Sequence, residues 1–204
     1  MEAYSLQHAD CTVYLALFRR VQNAQSLRQR LISASTLPES DDGDKERAAV
    51  DYAFIDASMI TSRLHLLTAI NQALLTPSLK SKTLHSEVIW MLEPGTNISE
   101  ALKHFGLSAN TKDLLLVRIR GNESAEKQTS ADVEAGMKSI VEGELASLDL
   151  LGNLPEGGTN DKGLRKIYKL NGDAALASVK AGTQEYSTTL DQLVTSCTAL
   201  KSVM

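Results

Sequence analysis

Short apolar segments along the chain have the hydrophobic pattern of β-strands. Residues 12–18 are apolar on both faces, which is typical of a central strand buried from two sides. In residues 114–119 alternate positions define two faces, and residues 52–57 form a shorter apolar segment. We therefore predict strands at these three places.

Residues 84–92 are followed by turn and helix signals. Apolar and β-branched residues alternate there with a period of two, so we predict a fourth strand. Pro94 and the glycine after it end the segment. Asn97 and Glu100 then have nearly the spacing of a capping box, which predicts a helix that ends before Gly106.

Other segments repeat apolar residues every three or four positions, the period of an amphipathic helix. They predict helices over residues 21–31, 60–75 and 132–148, with 60–75 as the buried core helix. Residues 38–49 are acidic and polar, and we expect them to be a mobile surface loop. Together these elements predict a mixed α/β (α+β) fold, a single compact domain over residues 1–204 with a small central sheet surrounded by helices.

The C-terminal segment carries one apolar stripe on an otherwise polar helix. Such a stripe packs on the protein's own sheet, as in most amphipathic helices, or it binds a partner as a helix in a groove. Self-association through the stripe is a third alternative. Its members, spaced by three or four residues, are Tyr186, Leu190, Leu193, Cys197, Leu200 and Met204.

Composition narrows the function classes. The chain has 204 residues, of which 43% are hydrophobic, and its formal net charge is −4. This charge argues against a broadly basic surface for nucleic acid, but it leaves a local basic patch open. Neither Cys11 nor Cys197 lies in a CxxC pair, and the four histidines lack ligand spacing, so we expect no metal and no cofactor. Without a legible signal peptide or membrane span, we expect a cytoplasmic and nuclear protein.

The chemical motifs of common enzymes are missing from the sequence. There is no phosphate-binding glycine loop and no GxSxG nucleophile elbow. His85 and Glu87 fall on one face of the predicted strand, where they could form an acid/base couple. A small-molecule-binding or catalytic domain with a pocket near this pair is therefore the alternative to a non-enzymatic protein.

The segment KTLHSEVIWMLEPGTNISEALKHFGLSANTKDLLLVRI, residues 82–119, closely resembles a known family. It is similar to the kinase-binding subunit of the KEOPS (EKC) complex, the family of the human PRPK-binding protein TPRKB. Residues 13–24, HLLTAINQAL at 65–74, and 140–170 with its KIYKL run resemble the same family in the same order. The resemblance covers nearly the whole chain, while residues 38–49 look like an insertion.

The resemblance implies a non-catalytic subunit that binds and supports the PRPK-type kinase. It also implies indirect association with the other KEOPS subunits, and tRNA recruitment for threonylcarbamoyladenosine modification. The family's C-terminal helical region takes part in kinase binding, which makes apolar side chains of this region the candidates. They are Leu190, Leu193, Cys197 and Leu200, with Ile167 and Leu170 as lesser candidates.

The family also engages the single-stranded 3′ end of tRNA, so small basic groups become candidates for that contact. Lys and Arg side chains hold a phosphate backbone, Asn can read a base edge, and His can stack on a base. Taken alone, a basic side chain is more often simply solvated, and a buried amide is more often part of the core. The candidates are Lys80, Lys82, His85, Arg63, Asn71, Arg118 and Arg120.

Overall fold

The computed structural model describes most of the chain, namely residues 1–121, 129–155 and 158–201. The described residues form two compact units. The first contains residues 1–56 and 106–147, and the second contains residues 57–105 and the chain from 148 onward. The expected mixed α/β class is confirmed. The organisation of the whole chain as one domain stays a prediction.

The strands and α-helices follow one another in mixed order along the described chain. They are β1 (Glu2–Leu6), β2 (Cys11–Arg19), α1 (Ala24–Thr36), α2 (Asp41–Ala49), β3 (Ala53–Asp56), α3 (Arg63–Leu75), α4 (Leu84–Leu92), α5 (Ile98–Phe105), β4 (Leu114–Gly121), α6 (Ser130–Ile140), β5 (Glu144–Ala146), α7 (Asp161–Ile167), α8 (Ala174–Ser178) and α9 (Gln184–Leu200).

The first unit is built on an antiparallel sheet with the strand order β1-β2-β4-β3, in which β5 also pairs with β2. The strands predicted at 12–18, 52–57 and 114–119 are confirmed as β2, β3 and β4. Strand β2 is central, because it pairs with three other strands. Leu17 and Phe18 lie on its opposite faces and both are fully buried, as the continuous apolar run predicted.

One face of this sheet belongs to a hydrophobic core that it shares with α1 and α6. Phe18 and Leu116 from the sheet join Leu27 of α1 and Met137 of α6 in this core. The helix predicted from residue 21 is thus confirmed, although it begins at Ala24 and extends to Thr36.

The helix predicted over 132–148 is wrong in its second half. Helix α6 ends at Ile140, and β5 follows it along β2. Gly143 lies in the connection, where an added Cβ would come within 3.0 Å of the Arg19 carbonyl oxygen. A glycine fits this close approach, because any side chain there would crowd the backbone of β2.

The acidic segment 38–49 is not the loop that we expected, because most of it forms α2. The Ser40 hydroxyl accepts a hydrogen bond from the Gly43 amide and caps the helix. Acidic residues occupy its first turn, where they favour the helix dipole. Glu46 pairs with Arg30 of α1 at 2.5 Å. The segment thus gains structure from a cap and an ion pair instead of apolar burial; its mobility stays a prediction.

In the second unit, the core helix predicted at 60–75 is confirmed as α3, but the strand predicted at 84–92 is wrong. That segment is helix α4, which starts with a capping box between Thr83 and Ser86. His85, Val88 and Leu92 are buried in α4 at helical spacing. Nine residues are few enough to fit a period of two as well as 3.6, and the capping pair decides between them.

Helix α5 begins and ends where the sequence predicted. The Asn97 side chain accepts a hydrogen bond from the Ser99 amide at 2.8 Å, which confirms it as the capping residue. Glu100 does not complete a capping box; it lies near Lys103 and His104 instead.

Candidate functional site

Helix α9 buries a different stripe from the one in the sequence prediction. Tyr186, Leu190, Val194 and Thr198 are buried, which is a regular spacing of four. Leu193 and Cys197 are half-buried, and Leu200 is 53% exposed. The predicted stripe thus contains both internal and outward side chains. Met204 lies outside the described residues.

Hydrogen bonds along α3 fix the position of α9. The Thr61 hydroxyl, just before α3, donates to the Asp191 carboxylate at 2.6 Å. Towards the other end of α3, the Gln72 amide donates to the Ala199 carbonyl at 2.9 Å. Bonds at both ends of the contact hold α9 along α3 in one register.

The end of α9 is held by a buried lysine. The Lys201 ammonium donates to the Trp90 carbonyl and, at 2.6 Å, to the Glu93 carbonyl at the end of α4. It also lies 3.4 Å from the centroid of the Trp90 ring, a cation–π contact. Burial lowers the pKa of Lys201 to about 8, against the opposing effects of Glu93 and Glu87.

A buried histidine connects α3 to the other helices of the unit. His65 is fully buried, and burial lowers its pKa to about 4, so the ring is neutral at pH 7. Its Nδ1 lies 3.2 Å from the Thr61 hydroxyl and its Nε2 lies 3.3 Å from the Tyr168 hydroxyl. Tyr168 donates in turn to the Leu92 carbonyl. This chain of polar contacts satisfies buried groups that would otherwise destabilise the core.

The outward leucines of this unit were only partly anticipated. Leu64 and Leu75 on α3 are 62% and 58% exposed, and Leu79 after α3 is 43% exposed. The sequence singled out only Leu200 among the exposed leucines here. The apolar residues around most of the circumference of residues 60–75 were the available signal, but they predict a fully buried helix and do not show which leucines stay exposed.

The other predicted kinase-binding residues differ in accessibility. Leu190 and Leu170 are 4% and 8% exposed, so a partner could reach them only if the unit opened. Ile167 is half-buried at the end of α7. Cys197 is half-buried too, and burial raises the pKa of its thiol. Leu193, Cys197, Leu200 and Ile167 therefore remain accessible candidates.

The basic candidates in the second unit do not form one cluster. Lys80 and Lys82 are exposed in the connection between α3 and α4, and His85 follows in the first turn of α4 but is buried. Arg63 starts α3, about 18 Å from the last residue of the helix, after which the two lysines follow. Its guanidinium pairs with the Asp149 carboxylate at 3.0 Å. Asn71 is half-buried on α3. Only the lysine pair is freely presented to a ligand.

The two arginine candidates lie in the first unit, on β4. The Arg118 guanidinium donates to the Asp51 carbonyl, lies 3.3 Å from the Asp51 carboxylate, and sits 5.0 Å from the centroid of the Tyr52 ring. These contacts explain its conformation without a ligand. Arg120 is half-buried on the same face of the strand.

The acid/base couple of His85 and Glu87 is not formed. Side chains two positions apart on a helix differ by about 200° in direction. Helix α4 therefore separates two side chains that a strand would place on one face. A cavity of about 550 Å³ does lie in this unit, but neither residue lines it. Its walls include Met59, Glu93, His104 and Lys166. Within the described residues, no group of His, Cys, Asp and Glu is arranged for a metal ion, and no helix is long and apolar enough to span a bilayer.

Comparison with known proteins gives a consistent result. The family model for "kinase binding protein CGI-121" matches residues 18–202. The chain is 35% identical over 205 residues to the EKC/KEOPS complex subunit cgi121 of Aspergillus terreus, covering 98% of this chain and 96% of that protein. Identity is 35% over 184 residues to the corresponding subunit of Gibberella zeae, with 84% of each chain covered. It is 32% over 219 residues to that of Neurospora crassa, with 100% and 99% covered.

Proposed function

The chain belongs to the CGI-121 family of kinase-binding proteins, and from this membership we propose that it is a non-catalytic subunit of the EKC/KEOPS complex. In this role it binds the PRPK-type kinase of the complex directly and supports its activity, in the cytoplasm and the nucleus. It also helps recruit the 3′ end of tRNA for threonylcarbamoyladenosine modification.

The observation that carries the kinase-binding role is the group of exposed leucines where α3 and α9 end. The bond from Gln72 to Ala199 puts Leu75 and Leu200 within about one helical turn of the same point. Each is more than half exposed. Leucines that are exposed close together at the ends of packed, well-anchored helices are typical of a protein-binding surface. We call Leu75, Leu79 and Leu200 the leucine surface.

The tRNA-binding role is supported by Lys80 and Lys82, which follow directly on Leu79. Neither ammonium is paired with a carboxylate among the described residues. Unpaired ammonium groups beside an apolar surface suit a protein that contacts a kinase and an RNA phosphate backbone at once. Two modest contacts linked in one protein raise the effective concentration of each ligand for the other.

The test of the kinase-binding role is an arginine substitution within the leucine surface. Leu200→Arg should lower the affinity for the purified PRPK-type kinase by about tenfold or more, because an unpaired charge in an apolar interface is strongly unfavourable. Leu102→Arg is the matched control, since Leu102 is a 44% exposed leucine on α5. Leu200→Arg binding as tightly as Leu102→Arg would move the interface elsewhere.

A further inference from the structure

A buried carboxylate holds the connection between α3 and α4 from inside the second unit. Glu87 of α4 is fully buried. Its Oε2 accepts hydrogen bonds from the Lys80 amide at 3.0 Å, the Ser81 amide at 2.8 Å and the Ser81 hydroxyl at 2.6 Å. Its Oε1 has no hydrogen-bond partner among the described residues. The three donors from one short segment are therefore the main hydrogen-bonding compensation for burying this carboxylate.

The segment that Glu87 holds is residues 76–83, which we call the lysine loop. It has no regular secondary structure, so its backbone gains no order from helix or sheet hydrogen bonds. Lys80 and Lys82 flank Ser81, whose two hydrogen bonds to Glu87 tie the middle of the loop to α4. The Thr83 capping box fixes the last residue of the loop. The backbone is anchored while both lysine side chains stay exposed.

We propose that Glu87 is a positioning residue for tRNA binding: it pre-orders the lysine loop so that Lys80 and Lys82 meet the phosphate backbone without a loss of loop entropy. The inference rests on the proposed function, because it takes tRNA as the ligand of the loop. Ordering a loop before binding raises affinity, since the complex no longer bears the cost of fixing the backbone. Glu87 acts through the loop and does not itself touch the RNA.

The sign of the effect separates positioning from simple electrostatics. A carboxylate near a phosphate-binding lysine pair repels RNA, so neutralising it by charge alone should tighten tRNA binding. If Glu87 orders the loop, Glu87→Gln weakens tRNA binding although a negative charge has been removed. Glu93→Gln is the matched control, because Glu93 is also a buried carboxylate at α4 but it contacts His104 instead of the loop.

The experiment measures the affinity of the full chain for an unmodified tRNA by fluorescence anisotropy at several salt concentrations. Glu87→Gln should lower affinity about tenfold, equivalent to about 1.4 kcal/mol. The slope of log affinity against log salt concentration should not change, because both lysines still reach phosphates. Hydrogen exchange at the amides of residues 80 and 81 should become faster. Ser81→Ala, which removes one of the three bonds, should have a smaller effect in the same direction.

The variant Lys80→Ala/Lys82→Ala distinguishes a failure of this inference from a failure of the proposed tRNA site. It should lower both the affinity and the salt slope. If it binds tRNA as the wild type does, the loop is not an RNA-binding site, and both proposals fall. If it weakens binding while Glu87→Gln and Ser81→Ala bind as tightly as the wild type or more tightly, only the role of Glu87 is refuted. Slow exchange at residues 80 and 81 in Glu87→Gln would also refute it.

Discussion

Replacing Lys201 by methionine should change how stability depends on pH. In the wild-type protein, burial lowers the pKa of Lys201 from 10.5 to about 8. Between these values the unfolded chain binds the proton and the folded chain does not. The free energy of unfolding therefore rises as the pH increases from about 8 to 10.5, and this contribution is absent below pH 8.

The size of the effect follows from the change in pKa. Each pH unit over which only the unfolded chain is protonated is worth about 1.4 kcal/mol, so the whole interval gives about 3 kcal/mol. In Lys201→Met the Trp90 and Glu93 carbonyls lose their donor, at about 1–3 kcal/mol each. Near pH 7 this loss is offset because an ammonium no longer has to be buried. The free energy of unfolding of the variant should thus fall further below that of the wild type as the pH rises.

The assay is urea unfolding of both proteins at pH 7, 8, 9 and 10. Cys197 and Tyr186, whose pKa values burial raises, also titrate in alkaline solution, but they are present in both proteins and cancel in the difference. The difference in unfolding free energy between wild type and variant should grow by about 2–3 kcal/mol from pH 7 to pH 10. Parallel curves for the two proteins would refute the assignment of a costly buried ammonium to Lys201.

Two further predictions concern the second unit. Burial lowers the pKa of His65 to about 4, so the wild type should lose about 3 kcal/mol of stability as the pH falls from 6.5 to 4. Urea unfolding at pH 4.5 and 7 should show that His65→Gln lacks this contribution to the acid dependence. Gly152→Ala should destabilise by about 2–5 kcal/mol in thermal unfolding, since Gly152 has a φ of 86° and an added Cβ would lie 2.2 Å from the Thr61 carbonyl oxygen. Gly172→Ala, with a φ of 93° but open space around the Cβ, is the control and should cost only about 1–2 kcal/mol.

Elements with an apolar run of clear length could be predicted from the sequence. The run at 12–18 is apolar on both faces, and only a central strand or a fully buried helix buries such a segment; its length favours the strand. Helix α3 could be predicted because its apolar residues persist over more than three turns, which is too long for a strand of ordinary length. Periodicity could not decide between strand and helix for residues 84–92, because the Thr83 cap that decides it lies just before the run.

The functional side chains were harder to predict than the elements that carry them. On α9 the residues Leu190 and Leu193 follow the same stripe, but packing buries the first and leaves the second half-exposed. Val194 and Thr198 complete the buried row, and a polar threonine gave no sign of this in the sequence. Which side of an amphipathic helix faces the core depends on tertiary neighbours such as the Thr61–Asp191 bond, and these are remote in the chain.

Hydroxyl-radical footprinting of the chain with and without the purified PRPK-type kinase tests the central claim most directly. Oxidation of a leucine depends on its exposure to solvent, and Leu75, Leu200 and Leu102 are all substantially exposed in the free chain. If α3 and α9 end in the kinase-binding surface, Leu75 and Leu200 lose most of their labelling in the complex while Leu102 keeps its own. Unchanged labelling of Leu75 and Leu200 in a stable complex would contradict the account.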